Sequence, residues 1–166
     1  MPLLMKHTGP LWGIWKIEEP SEVLLALLQN RKEYLPQLEL IRTEQRRREW
    51  LASRVLLQEL TGGSALIAYH PNGAPYLSGS SLHISISHTK GYAAVLLQDH
   101  PAAGIDIEYR SERVSRIRSR FMNPEEEAGI DKEYETEHLL LHWCAKETLF
   151  KMVGYEEVDF LRHLHV

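Results

Sequence analysis

The sequence predicts an α+β protein built of two halves, with hairpin strands in the middle and helices on either side. Two observations carry that reading. Between residues 66 and 108, short β-type runs alternate with turn pairs such as Asn72-Gly73, Ser78-Gly79 and Lys90-Gly91. On both sides of that stretch, apolar residues recur at helical spacing between capping signals. The 166 residues can bury one core or two small interlocked ones. The expected halves are residues 1–101, helices plus a hairpin sheet, and 102–166, with a seam near His100-Pro101.

The elements are expected in this order. The run Met1–Pro10 is broken by Lys6, Gly9 and Pro10 before it can form the apolar region of a signal peptide. Leu11 to Ile17, rich in Trp and Ile, reads as a strand. Ser21 is placed to cap a helix through Val23–Leu28. A longer helix is expected from about Leu38 to Leu60, with Trp50, Leu51, Val55 and Leu57 on its apolar side and Thr61-Gly62-Gly63 as its stop. Strands follow at Leu66–Tyr69, Pro75–Leu77, Leu82–His88, Tyr92–Leu97 and Gly104–Glu108. Asn123 caps a helix that has Pro124 at its first position. The last helix opens near Thr136 and closes at Gly154, and Val158–Val166 is expected as one more strand.

Composition bounds the function. Hydrophobic residues make up 43% and charged residues 25%, ordinary values for a soluble globular chain. A net charge of −4 argues against a dedicated nucleic-acid binder. One cysteine excludes an intrachain disulfide and fits a reducing compartment. No window approaches the roughly 18 apolar residues of a membrane span, so the expectation is a cytoplasmic protein with no membrane partner.

Two segments carry chemistry. In a strand, residues two apart share a face, so Asp106 and Glu108 project together while Ile105 and Ile107 face a core. Paired carboxylates repel unless a cation, a proton or solvent separates them. On the last helix Glu147 and Lys151 share a face; alone they read equally as a surface ion pair. Together with Lys146, these groups suit a hard metal ion and a phosphorylated substrate. Ser87, His88 and Thr89, at the end of a strand, offer hydroxyl and imidazole donors to a phosphate, or simply stabilise a turn. Arg54 sits among Ala52, Val55 and Leu56, where an arginine usually has a fixed carboxylate or phosphate partner. His138 and His142 have the spacing of paired zinc ligands, but Leu139, Leu140 and Leu141 lie between them and the glutamate of a zinc protease helix is missing. Cys144 reads as an apolar filler rather than a nucleophile.

Five segments in order resemble the 4′-phosphopantetheinyl transferase superfamily. Trp143-Cys-Ala-Lys-Glu-Thr-Leu-Phe-Lys151 resembles the family's Trp-x-x-Lys-Glu-x-x-x-Lys helix. Gly104-Ile-Asp-Ile-Glu108 resembles its metal-binding strand, and Ile84-Ser-Ile-Ser-His88-Thr its segment in contact with coenzyme A. Pro71-Asn-Gly-Ala-Pro-Tyr-Leu77 and Arg48-Glu-Trp-Leu-Ala-Ser-Arg54 resemble a loop and a helix that meet the nucleotide. The resemblance implies transfer of phosphopantetheine from coenzyme A to a serine of an apo acyl or peptidyl carrier protein, with Mg²⁺ held by Asp106, Glu108 and Glu147. It implies Glu147 as the base, Lys151 as a stabiliser of the transferring phosphate, and Arg54, Ser87, His88, Lys146 and Lys151 as coenzyme A contacts. Two carboxylates on one strand match the single-chain branch, whose halves are related by a pseudo-two-fold, each a small antiparallel sheet packed on a helix.

Two departures are visible. Ala74 stands where the family usually has lysine, and the chain ends at Val166, soon after Gly154. The second half is therefore expected to be incomplete, with the chain a monomer or associated through that half. The competing reading is a non-catalytic relative that binds coenzyme A or a carrier protein, or a truncated inactive homologue.

Overall fold

The strand β6 (Tyr92–Gln98) organises the first half. Its residues are apolar at successive positions rather than alternate ones, and Ala93 to Leu97 are all buried. A strand of that kind needs cover on both faces. In the computed structural model, which describes residues 3–63, 65–154 and 157–166, it lies inside a four-stranded antiparallel sheet of order β1-β2-β6-β5. Its neighbours are β2 (Leu11–Lys16) and β5 (His83–Thr89), with β1 (Leu3–Thr8) outside β2. A separate antiparallel hairpin joins β3 (Leu66–Tyr69) to β4 (Pro75–Ser78).

The long helix α3 (Glu44–Thr61) covers one face of the sheet. Its Leu51, Val55, Leu56 and Leu57 pack with Trp15, Ala93, Val95 and Leu97 in one buried cluster. Gly13 lets the helix approach, since a Cβ there would stand 2.9 Å from Leu56 Cδ1. The helix begins later than the expected Leu38. Leu40 ends α2 (Arg31–Glu39), a helix the sequence reading did not include, and Thr43 then caps α3 by accepting from the Arg46 amide. Gly62, at φ 78°, closes α3 as expected. In α1 (Ser21–Leu27), Ser21 is the first helical residue rather than the cap, because its amide and hydroxyl both donate to Glu44.

The second half is helical among the described residues: α4 (Arg113–Ile117), a short 3₁₀ turn (Arg118–Arg120), α5 (Pro124–Ala128) and α6 (Glu135–Val153). Asn123 and Glu126 form the full capping box expected of the Asn123-Pro124 start. Gly154, at φ 91°, ends α6. A second buried cluster of Val114, Phe121, Met122 and Leu139 gathers here, with Trp143 and Phe160 packed against it.

Two expected strands differ. Val158–Val166 makes no strand; Asp159 Oδ1 accepts from the amides of Leu161 and Arg162 and folds the segment into a turn, and the Val166 amide donates to Glu126. Gly104–Glu108 is extended but joins no backbone ladder. The amides of Ile105, Ile107 and Tyr109 donate instead to the hydroxyls of Ser85, Ser87 and Thr89, at 3.1, 3.3 and 3.1 Å. In register, Ser85 and Ser87 stand beside Leu96 and Ala94, on the face of the sheet opposite α3. Among the described residues, no helix is long and apolar enough to cross a membrane.

Candidate functional site

The site forms where the segment 104–109 is pinched between β5 and α6. Gly104 permits the pinch. A Cβ at that position would lie 2.5 Å from the Thr148 carbonyl oxygen and 2.7 Å from Met152 Cγ, and the backbone oxygen cannot give way. Gly104→Ala is accordingly expected to lower folding stability by about 1–3 kcal/mol, the usual penalty for overpacking. Chemical denaturation checks this, and an unchanged midpoint would contradict the contact.

Asp106 is the centre of the site. Its Oδ1 accepts from the Ser87 hydroxyl at 2.8 Å and from Lys151 Nζ at 2.8 Å, while Lys151 also donates to the Ile105 carbonyl at 2.9 Å. Among the described residues, its Oδ2 is buried with no hydrogen-bond partner. The carboxylate side chain is 7% exposed, so it is largely cut off from water, and the Cys144 thiol is a further polar group set against it. Across from it, burial and then the charges of Asp106 and Glu108 hold the Glu147 carboxyl above its ordinary pKa, against the opposing pull of Lys151. Burial, and then Asp106, push the Cys144 thiol up to about 12, which keeps it protonated and supports its reading as a filler. Glu108 is exposed; its Oε1 accepts from Trp143 Nε1 at 3.1 Å and its Oε2 from the Thr89 hydroxyl at 3.2 Å.

Asp106, Glu108, Glu147 and Lys151 are therefore brought into one electrostatic neighbourhood. Among the described residues, no three His, Cys, Asp or Glu side chains stand in a ready-made metal cluster. The donor set nevertheless fits a hard cation. Magnesium characteristically takes one or two carboxylates and completes its shell with water and substrate phosphates, and an orphaned carboxylate oxygen beside two further acids is where a positive charge relieves the most repulsion.

Lys146 is not part of this neighbourhood. It is fully buried on another side of α6, bonded to Glu126 Oε2 at 2.7 Å and to the carbonyls of Phe121 and Phe160. Its expected role as a coenzyme A contact meets a side chain with no exposed surface and its donors already taken. The Ser87 hydroxyl likewise spends its one hydrogen on Asp106, leaving none for a phosphate.

Arg54 and His88 line a second hollow of about 140 Å³ with Arg46, Trp50, Tyr69 and Gly73. The Arg54 guanidinium lies 3.4 Å from the Trp50 ring centroid, donates to the Trp50 carbonyl, Ser53 Oγ and Tyr69 Oη, and keeps a buried Nε with no partner among the described residues. His88 bonds Arg46 through Nε2, while its Nδ1 stands 3.4 Å from Glu49 Oε2. Burial, and then Arg46, hold this imidazole below its ordinary pKa, against the pull of Glu49. A larger cleft of about 390 Å³ runs between β4, β5 and the end of α6, lined by Ala74, Tyr76, Ser85, Ala103, Lys151 and Gly154 among others. His142 Nδ1 bonds the His138 carbonyl at 2.8 Å and His138 Nδ1 accepts from the Asp131 amide at 3.3 Å, and among the described residues no third ligand type joins the two imidazoles in a metal cluster.

Sequence reasoning offered Thr89 to a phosphate and took Trp143 only as part of a motif; it did not foresee that both would bond Glu108, nor the aromatic box around Arg54. A signal for Thr89 existed. Ser85, Ser87 and Thr89 place hydroxyls at every second position of a strand whose other positions begin with Ile84 and Ile86.

Comparison with known proteins bears on this arrangement. Residues 102–165 match the family model of the 4′-phosphopantetheinyl transferase superfamily. The chain is also 30% identical over 115 residues to the 4′-phosphopantetheinyl transferase AcpT of Salmonella typhimurium, a stretch that covers 66% of this chain and 60% of that protein.

Proposed function

We propose that the chain, which matches the 4′-phosphopantetheinyl transferase superfamily over residues 102–165 and is 30% identical to one such transferase, is a member of that superfamily and moves phosphopantetheine from coenzyme A to a serine hydroxyl of an apo carrier protein, with magnesium. The observation that carries the reading is the Oδ2 of Asp106, buried and unpartnered among the described residues, beside Lys151 and the raised carboxyl of Glu147. We also infer the single-chain branch, because Asp106 and Glu108 stand two apart on one segment and His88 lies within electrostatic reach of Asp106 and Lys151.

Asp106, Glu108 and Glu147 are the residues that would hold the ion, which when bound supplies charge neutralisation on the diphosphate. Lys151, fixed by Asp106 and the Ile105 carbonyl, brings a cation to the transferring phosphoryl group. Glu147 takes the proton of the incoming serine as its oxygen bonds to phosphorus and the bond to the leaving adenosine bisphosphate breaks. A carboxyl lifted above its ordinary pKa suits that task at neutral pH. Arg54, Arg46 and His88 present two guanidiniums and an imidazole to the nucleotide's phosphates around the smaller hollow.

Incubation with a fluorescent coenzyme A, magnesium and a panel of apo carrier proteins tests the reading. Magnesium-dependent labelling of at least one carrier is expected. Coenzyme A binding without transfer to any carrier would support the non-catalytic reading, to which the uncharged Ala74 in the large cleft lends weight.

A further inference from the structure

The contact between β5 and the carboxylate segment repeats a small unit. The Ser87 hydroxyl donates to Asp106 Oδ1 at 2.8 Å and accepts from the next amide, Ile107, at 3.3 Å. Two residues further on, the Thr89 hydroxyl donates to Glu108 Oε2 at 3.2 Å and accepts from the next amide, Tyr109, at 3.1 Å. Ser85 begins the series by accepting from the Ile105 amide at 3.1 Å, opposite Gly104, which has no carboxylate to receive a bond. Both chains are extended and advance two residues per rung, so the match holds along the whole contact.

An ordinary strand pair would have used backbone groups for this contact. Here the backbone donors meet side-chain hydroxyls, and a hydroxyl has one hydrogen left to give. At two of the three rungs that hydrogen goes to an acid expected to hold the ion. The bond fixes one oxygen of each carboxylate. For Asp106 it works with Lys151 to occupy Oδ1 and leave Oδ2 open.

We propose that Ser87 and Thr89 are positioning residues that set the orientation of Asp106 and Glu108 for a divalent cation through this hydroxyl ladder. The inference rests on the metal reading of the site given above. Partners that orient a ligand from behind typically change metal affinity by about 10–100-fold when removed. They do so without touching the ion, which separates this role from that of the three carboxylates.

The test is Mn²⁺ titration of the intact protein with coenzyme A present, followed by the paramagnetic signal of the free ion. Thr89→Val, which keeps shape and loses the hydroxyl, is expected to weaken Mn²⁺ binding by about tenfold or more, and Ser87→Ala to do the same. Thr89→Ser restores the hydroxyl and is expected to stay within about twofold of the parent protein. Ser85→Ala removes a rung that carries no acid and measures how much of any loss is structural. Thr89→Val within about twofold of the parent, or Ser85→Ala as damaging as Thr89→Val, overturns the proposal while leaving the metal reading intact. Failure of the parent protein itself to bind Mn²⁺ overturns both. Should Ser87→Ala not fold, the Thr89 pair decides, because that side chain is only partly buried.

Discussion

Replacing Lys146 with methionine should lower folding stability by about 3–5 kcal/mol, the range for breaking a buried ion pair by removing one partner. Lys146 is 0% exposed and Glu126 is 8% exposed. The ammonium has three donors, and all three are used, on Glu126, the Phe121 carbonyl and the Phe160 carbonyl. Glu126 in turn accepts from the amides of Asn123 and Val166. One side chain thus ties α6 to the start of α5 and to the final turn of the chain. Methionine fills much of the space but leaves a buried carboxylate without its cation and two carbonyls without donors.

The pH dependence has a defined sign. Burial raises the Glu126 pKa, but Lys146 and the backbone amides outweigh it, so the net shift is downward. A carboxyl depressed on folding contributes stability that is present above its unfolded pKa and is lost as pH falls through the folded value. The gap between parent protein and Lys146→Met should therefore be widest near neutrality and shrink in acid. Denaturant titrations at neutral and acidic pH measure it. A variant within about 1 kcal/mol of the parent at neutral pH would refute the assignment of Lys146 to the scaffold.

If the proposed transfer is the activity of this chain, Asp106→Asn is expected to reduce it by at least about 10³-fold while the protein stays folded. The amide is nearly isosteric and can still accept from Ser87, so packing is preserved. What disappears is the negative charge that Lys151 pairs with and that would hold the cation. A second readout is independent of turnover. Asp106 is, after burial, the largest cause of the raised Glu147 pKa, so its neutralisation should bring that carboxyl down toward its ordinary value. Carrier labelling and an NMR titration of Glu147 check the two effects. A variant that keeps most of its activity would remove Asp106 from the chemistry.

Much of the fold was legible because its signals are local. The capping box at Asn123, the left-handed glycines at Gly62 and Gly154, and the unbroken apolar run of β6 each declare an element within a few residues. β1 was not legible, since all but its first residue are exposed and it is held mainly by pairing with β2. α2 was hidden by Pro36 inside it and a single buried residue, Tyr34. The period-two reading of Gly104–Glu108 put Asp106 and Glu108 together, as their hydroxyl partners bear out, but gave the wrong partner strand, because a strand and a chain laid across hydroxyls share the same alternation; Ile105 and Ile107, expected to face a core, are only partly buried and belong to neither buried cluster among the described residues. At the candidate site, motif and spacing nominated Asp106, Glu108, Glu147 and Lys151, and the fold brings the four into one electrostatic neighbourhood. Lys146 was not separable from Glu147 in sequence, although adjacent helical residues point about 100° apart and here serve different ends.

Gly104 and the three hydroxyls of β5 give the molecule a joint that is also its workbench. The acids are carried by a segment clamped against the first half by Ser85, Ser87 and Thr89, and against the second by the bare backbone of a glycine. Any shear between β5 and α6 would strain the bonds of Lys151 to Asp106 and Ile105, so the packing of the two elements and the geometry of the proposed site are one equilibrium. A ligand that spans the clefts on both sides would tighten the joint by the same free energy with which the joint favours the ligand.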